Sequence, residues 1–177
     1  MKLVTTSIPG VVLIEPEPLR DERGFFARIW DRDELISGGL DPSVAQVSLA
    51  FNDVKGTLRG LHYQAEPHGE AKNVRCTSGA IWDVAVDLRI GSSTRYSWVA
   101  FELSATNRRT LHVPRGCAHG YITLTDSAEV LYQISSPHRP DAGMGCLWDD
   151  PVLAITWPLA PARISERDLS YARLALK

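Results

Sequence analysis

The stretch HVPRGCAHGY, residues 112–121, contains the strand–turn–strand pattern that decides the fold of this chain. The first strand is predicted to end at Pro114, because proline has no amide hydrogen to donate to a β-ladder. Gly116 permits the tight turn that follows, and the next strand begins close to His119. This geometry directs the His119 side chain into the interior of a barrel.

Short apolar or alternating runs separated by turn residues continue on both sides of this stretch. Helices are predicted over residues 31–37, with Asp31 as the cap, and over residues 165–175. Many short strands at this spacing predict one all-β domain: a sandwich, a jelly roll or a barrel that can enclose a ligand. The predicted strands cover residues 11–15, 25–30, 44–51, 57–64, 71–77, 80–88, 97–103, 110–113, 120–123, 129–135 and 146–148.

The composition narrows the range of partners. The 177 residues fit a single domain over positions 1–177, and 23% charged with 44% hydrophobic residues is typical of a globular protein. The net charge of −2 gives no reason to expect nucleic acid or an anionic membrane as a partner. A small ligand is therefore the better hypothesis.

The location of the protein is predicted from its first residues and its cysteines. The opening MKLVTTSIPG lacks the apolar core of a signal peptide, and no later run has the length of a membrane span. Cys76, Cys117 and Cys146 are odd in number and widely spaced, which favours buried, reduced thiols over a disulfide framework. We therefore expect a cytoplasmic protein.

The segment GTLRGLHYQ, residues 56–64, reads as a strand that carries an arginine and a histidine. Strict alternation would place Arg59 and His62 on opposite faces of that strand. Taken alone, the segment favours His62 as a hydrogen-bonded histidine in a β core.

The pattern around His119 resembles the second sequence motif of the cupins, a family of small jelly rolls. In many cupins the corresponding histidine binds a metal together with a His-x-His pair, but here position 64 is Gln. His68 and Glu70 lie in a loop with no evident reason to converge with His62 on one ion. The resemblance therefore implies a cupin-type jelly-roll barrel with short flanking helices, and a bound metal is not expected.

Several further motifs together resemble the dTDP-4-dehydrorhamnose 3,5-epimerases, and the match runs from about residue 10 to about residue 169. The motifs are DERGFF (21–26), GTLRGLHYQ (56–64), Lys72 with RC (75–76), GAIWDV (79–84) with DLR (87–89), VPRG (113–116) with AHG (118–120), EVLY (129–132), WDDP (148–151) and SERD (165–168).

This resemblance implies a reaction without cofactor or metal that inverts the carbons beside the C4 ketone of a nucleotide-linked 4-keto-6-deoxy sugar. His62 resembles the base, with Asp168 as the carboxylate that orients it. Lys72 matches the cation at the ketone oxygen, and Tyr132 matches the acid on the opposite face. Without the resemblance, Lys72 would be read as the end of an exposed strand, Tyr132 as a wall aromatic, and Asp168 as a surface carboxylate.

The resemblance also assigns residues to substrate binding. Arg23 and Arg59 are expected at the diphosphate, since a planar fork of donors suits phosphate oxygens. Asp83 and His119 are expected to pair inside the barrel, with His119 also near the sugar or diphosphate. The family implies a homodimer in which an N-terminal strand crosses to the partner. The complete predicted binding set is Arg23, Phe26, Gln46, Ser48, Arg59, Asp83, His119 and Arg167.

The chain departs from the family pattern in three segments, and these departures affect substrate selection. Arg28 replaces the glutamate of the usual Phe-Phe-x-Glu, Gln46-Val47-Ser48 replaces Gln-Asp-Asn, and His138 replaces an aromatic residue. Two alternatives stay open. The first is an enzyme that epimerises C3 only or catalyses a related ketoisomerisation. The second is a protein that binds a sugar nucleotide without catalysis.

Overall fold

Two antiparallel sheets face each other in the computed structural model, which describes residues 1–174. In chain order the strands are β1 (Lys2–Thr5), β2 (Val12–Glu15), β3 (Leu19–Asp21), β4 (Gly24–Phe26), β5 (Gln46–Asn52), β6 (Leu58–Gln64), β7 (Lys72–Ser78), β8 (Ala80–Asp87), β9 (Trp98–Ser104), β10 (Thr110–Val113), β11 (Cys117–Thr123), β12 (Ala128–Ile134) and β13 (Gly143–Gly145).

The strand order confirms the predicted jelly roll. One sheet has six strands in the order β1-β2-β10-β7-β12-β5, and the other has five in the order β13-β6-β11-β8-β9. Strands β3 and β4 form a separate hairpin. The helices are short: α1 spans Arg32–Ser37, α2 spans Glu166–Leu169, and a 3₁₀ turn covers Pro140–Ala142. Within residues 1–174, no helix has the length and apolar character that a membrane crossing requires.

The main core lies between the two sheets. Because side chains alternate along a strand, one face of each sheet supplies apolar residues to this interior. Burial of such side chains is the dominant stabilising contribution to the fold. Its members include Val74, Leu111 and Val130 from the six-stranded sheet and Ile81, Leu103 and Tyr121 from the five-stranded sheet.

The two helix predictions have different outcomes. Asp31 caps α1 as predicted, because its side chain accepts from the amides of Asp33 and Glu34 at 3.0 Å each. The second prediction, over residues 165–175, was too long: α2 ends at Leu169, and Ala175 lies outside the described residues. Beyond α2 the chain packs on the barrel, where the Leu174 amide donates to Asp150 at 2.6 Å, and this tertiary contact replaces further helix.

The strand predictions locate most elements but err where burial alternation is absent. Strands β1 and β3 were missed because they are short and carry no fully buried side chain. The predicted strand over 25–30 shortens to β4, and the one over 120–123 lengthens to β11. The strand predicted over 146–148 was wrong, since it is residues 143–145 that pair with β6.

Candidate active site

A cavity of about 760 Å³ opens between the two sheets and is closed on one side by α2. This volume is within the range of small-molecule sites. Nine of the predicted site residues line it: Gln46, Ser48, Arg59, His62, Lys72, His119, Tyr132, Arg167 and Asp168.

His62 and Asp168 form a hydrogen-bonded pair on the wall made by β6. Nε2 of His62 lies 2.8 Å from Oδ1 of Asp168, and the other carboxylate oxygen accepts from the Gly60 amide at 3.0 Å. Burial alone would raise the pKa of Asp168, but hydrogen bonds from His62, Gly60 and Ser165 bring its pKa below the usual value. The ionised carboxylate therefore holds one ring nitrogen and leaves the other to take a proton.

A register shift in β6 brings Arg59 and His62 to the same wall, so strict alternation was the wrong rule here. His62 is opposite His119 and Arg59 is opposite Tyr121, so three steps along β6 match two along β11. The extra residue is a bulge, which re-aims the side chains that follow it. Gly60 allows it, with φ of +132° and a backbone so close to β11 that a Cβ would lie 2.6 Å from the Gly120 Cα.

Lys72 occupies the facing sheet and is paired with a carboxylate. Its Nζ lies 2.8 Å from Oε1 of Glu70, and both side chains are about nine-tenths buried. Nζ also lies 3.4 Å from the carbonyl oxygen of His62. This burial contradicts the alternative in which Lys72 ends an exposed strand. Glu70, considered from sequence only as a metal ligand, is the partner that sequence reasoning missed.

Tyr132 lies on β12, in the sheet opposite His62. Its ring packs edge-on against His119, with ring centroids 6.1 Å apart and an interplanar angle of 84°. Burial, followed by the neighbouring Tyr121 and then Asp83, raises the pKa of Tyr132 well above its usual value. The phenol is therefore protonated at neutral pH and can act as a hydrogen donor.

His119 and Asp83 are paired as expected. Nε2 of His119 lies 2.7 Å from Oδ1 of Asp83. Burial raises the pKa of Asp83, and the neighbouring His119 and Lys72 partly offset this rise. His119 reaches the cavity, whereas Asp83 supports it from behind and does not line the wall.

Strand β5 supplies two residues of the predicted substrate-binding set. Gln46 and Ser48 line the cavity, and Oε1 of Gln46 accepts from the His138 amide at 2.7 Å. His138 lines the same rim. The Gln64 side chain, at the position where many cupins have a metal-binding histidine, bonds the carbonyls of His68 and Pro137 and the amide of Arg139. In the described part of the chain, no three His, Cys, Asp or Glu side chains are grouped as metal ligands would be.

Three residues of the N-terminal region do not reach the cavity of their own chain. Arg23 pairs with Asp21 at the tip of the β3–β4 hairpin, and Phe26 beside it is 68% exposed. Arg28 lies 3.5 Å from Asp31 on the surface. The expectation that Arg23 and Phe26 contact substrate therefore holds only through a second copy of the chain, and Arg28 pairs with a surface carboxylate instead of entering the cavity.

Sequence reasoning missed two buried polar residues: Tyr121, which lines the cavity, and Asn52, which lies behind the wall. Period-two alternation would have found both, since Asn52 follows Gln46 and Ser48 on one face of β5 and Tyr121 follows His119 on β11. The Asn52 carboxamide oxygen accepts from Nε of Arg59 at 2.8 Å. Asn52 thus holds Arg59, the residue that is predicted to bind the diphosphate.

This fold and this site define a jelly-roll enzyme whose cavity carries titratable side chains on two facing walls. The family profile described as "dTDP-4-dehydrorhamnose 3,5-epimerase" matches residues 5–175. The chain belongs to the dTDP-4-dehydrorhamnose 3,5-epimerase family, whose enzymes are isomerases.

Individual relatives agree with this assignment. The dTDP-4-dehydrorhamnose 3,5-epimerase of Sinorhizobium fredii is 39% identical over 98% of this chain and 90% of its own length. A dTDP-4-dehydrorhamnose 3-epimerase of Streptomyces niveus is 36% identical over 99% of this chain and 84% of its own. The crystal structure of the Bacillus anthracis 3,5-epimerase with TDP and PPi bound matches with a TM-score of 0.93 and 37% identity, covering 98% of this chain and 99% of that one.

Proposed function

We propose that this protein epimerises C3 and C5 of a dTDP-linked 4-keto-6-deoxy sugar, with His62 as base and Tyr132 as acid. One observation carries the assignment of roles. The His62–Asp168 pair lies on β6 in the five-stranded sheet, and Tyr132 lies on β12 in the facing sheet. A base and an acid on opposite walls can act on opposite faces of one bound sugar, as inversion requires.

The proton transfers follow from the chemistry of a carbon next to a ketone. His62 takes the proton of that carbon, and the electron pair of the broken C–H bond moves to the ketone oxygen. Lys72 stabilises the enolate charge there, an interaction that is stronger in a cavity than in bulk water. Tyr132 then gives its proton to the carbon from the other side, and the ketone reforms. Acid–base groups of this kind typically contribute ~10²–10⁴-fold each.

The remaining lining residues supply a binding surface for the nucleotide diphosphate. Arg59 presents its guanidinium to the cavity, and a planar fork can bind two phosphate oxygens at once. Gln46 and Ser48 offer amide and hydroxyl groups on the same face of β5, suited to the edge of a base. His119 and Arg167 are assigned to the sugar and diphosphate. No metal or other cofactor is assigned.

The active form is proposed to be a homodimer. Val47, Leu49 and Phe51 form an exposed apolar stripe on the outer face of the edge strand β5, each more than half exposed. Such an edge and such a stripe favour contact with another chain. A second copy covering this stripe could bring the hairpin residues Arg23 and Phe26 to the neighbouring cavity.

A cytoplasmic location is proposed for the enzyme. Cys76, Cys117 and Cys146 are all buried and unpaired, as predicted, which suits a reducing compartment.

Epimerisation at C3 alone is the second candidate, because the relative from Streptomyces niveus at 36% identity is a 3-epimerase. The test is proton NMR of dTDP-4-keto-6-deoxyglucose with the enzyme in deuterated water. Deuterium at both C3 and C5 with inversion is expected. Deuterium at C3 alone would select the second candidate, and binding without exchange at either carbon would leave a non-catalytic binding protein.

His62→Asn should reduce both exchanges by at least roughly 100-fold while leaving nucleotide binding within about twofold. His68→Asn is the matched control, because His68 lies outside the cavity lining. Exchange at the wild-type rate in His62→Asn would remove His62 from the role of base.

A further inference from the structure

A hydrogen-bonded chain of side chains runs along the cavity wall, and two of its members have no role in the reaction described above. Asn52 is 2% exposed and Tyr121 is fully buried. Asn52 Oδ1 accepts from Nε of Arg59 at 2.8 Å, and Nδ2 donates to the Ala128 carbonyl at 3.0 Å. These partners fix the orientation of the carboxamide, because a guanidinium only donates and a carbonyl only accepts.

The Tyr121 hydroxyl has two possible partners on Asn52. Its oxygen lies 3.2 Å from Nδ2 and 3.3 Å from Oδ1. It can donate to Oδ1, or it can accept from the second hydrogen of Nδ2 and turn its own hydrogen elsewhere. A hydroxyl between a donor and an acceptor of one amide can thus change direction without moving its oxygen.

Tyr132 is a neighbour of Tyr121. Tyr121 lies on β11 and Tyr132 on β12, in facing sheets, and both line the cavity. Both rings flank His119, at centroid distances of 6.4 and 6.1 Å. Burial first, and then the neighbouring Tyr121, raise the pKa of Tyr132, so the two phenol groups lie close enough to interact.

We propose that Tyr121 and Asn52 are positioning residues for proton return, with the Tyr121 hydroxyl turning from Asn52 Oδ1 to the Tyr132 oxygen as Tyr132 protonates the substrate carbon. Tyr132 gives its proton to the substrate carbon, which forms the new C–H bond, and the Tyr132 oxygen becomes a phenolate. Tyr121 keeps its own proton and donates a hydrogen bond to that phenolate, while Nδ2 of Asn52 donates to Tyr121. Water in the cavity then takes a proton from the His62 imidazolium and returns one to the Tyr132 phenolate, which restores both groups. This inference rests on the proposed role of Tyr132.

In deuterated water, the rates at which two products form separate proton return from proton removal. With dTDP-4-keto-6-deoxyglucose, proton NMR gives the rate of deuterium entry without inversion and the rate of inversion. The His62 side chain is 37% exposed, so a proton that it has taken can exchange with solvent. When Tyr132 returns its proton slowly, the rate of deuterium entry without inversion therefore rises relative to the rate of inversion.

Tyr121→Phe should raise that ratio roughly tenfold and leave KM within about twofold, because one hydrogen bond to a charged oxygen is lost. Asn52→Asp should raise the ratio similarly without raising KM. Its carboxylate still accepts from Arg59 but has no hydrogen to donate to the Tyr121 hydroxyl. This second variant tests the proposal independently should Tyr121→Phe fail to fold.

Two further variants serve as controls. Tyr96→Phe removes a hydroxyl outside the cavity lining and should leave the ratio unchanged. In a Tyr132→Phe background, Tyr121→Phe should have no further effect on the ratio, because the two hydroxyls act as one unit.

A proportional fall of exchange and inversion in Tyr121→Phe and Asn52→Asp would show a structural role only and overturn the proposal, as would an unchanged ratio. Absence of both exchange and inversion in the wild-type protein would instead refute the proposed function, and this role with it.

Discussion

At the residue scale, the partner and the burial of a histidine decide its chemistry. His62 has a carboxylate partner and a cavity in front of it. His112, on β10, is 2% exposed, and Nδ1 lies 2.8 Å from the Asn73 carboxamide oxygen. Burial lowers the pKa of His112 to about 4, although nearby Asp41 acts in the opposite direction. His112 is thus a structural group that stays neutral.

This burial predicts a loss of stability in mild acid. The unfolded chain takes a proton on His112 near its ordinary pKa, whereas the folded chain does so only near pH 4. The unfolded state therefore binds more protons between about pH 6.5 and pH 4, and lowering the pH through this window favours unfolding. The contribution of His112 between about pH 7.5 and pH 5 is about 2 kcal/mol.

Urea unfolding of the wild type and of His112→Gln at both pH values measures this contribution. His112→Gln should lose about 2 kcal/mol less than the wild type on acidification. Equal losses in the two proteins would show that His112 does not titrate differently on unfolding.

At the element scale, the bulge in β6 brings the Arg59 and His62 side chains of this strand to the cavity. A regular strand would direct Arg59 and His62 to opposite faces. The register shift against β11 brings both to the cavity, and the amide of Gly60 also bonds Asp168. Gly60 and Gly120 allow the close approach of the two backbones.

Gly60→Ala should therefore be strongly destabilising. Its φ of +132° is unfavourable for alanine, and the added Cβ would lie 2.6 Å from the Gly120 backbone, which cannot move aside easily. We expect a loss of more than about 3 kcal/mol in the free energy of unfolding.

Gly24→Ala is a matched control, because Gly24 has the same φ of +132° with nothing within 4 Å of an added Cβ. Gly24→Ala should lower the free energy of unfolding only by the backbone strain, about 1–3 kcal/mol. Similar losses in the two variants, measured by urea unfolding, would mean that close approach to Gly120 contributes nothing.

At the scale of the whole molecule, the two sheets enclose the chemistry while one edge of the barrel stays uncovered. The inward face of β5 carries Gln46 and Ser48, and its outward face carries Val47, Leu49 and Phe51. One strand therefore contributes to a ligand cavity on one side and to the proposed dimer contact on the other. Subunit association and ligand binding are expected to depend on each other.

Leu49→Asp should disrupt the proposed dimer, because a charge would enter the centre of the apolar stripe. Light scattering should give twice the 19.6 kDa chain mass for the wild type and a shift towards a single chain mass for Leu49→Asp, with loss of activity. Ile90→Asp, at an isolated site that is 90% exposed, is the control and should stay dimeric. A fully active wild-type monomer would contradict the proposal.

Local sequence determined most of the strands and the α1 cap at Asp31, because turn residues, capping groups and period-two patterns act over a few neighbouring residues. The set His62, Lys72, Tyr132 and Asp168 could be predicted only through the motifs that resemble the family, because Lys72, Tyr132 and Asp168 taken alone favoured structural or surface roles. Only the tertiary structure decided which face of β6 His62 occupies, that Glu70 pairs with Lys72, and that Asn52 connects Arg59 to Tyr121. Those outcomes depend on a bulge and on contacts between residues far apart in the chain, and no local pattern specifies either one.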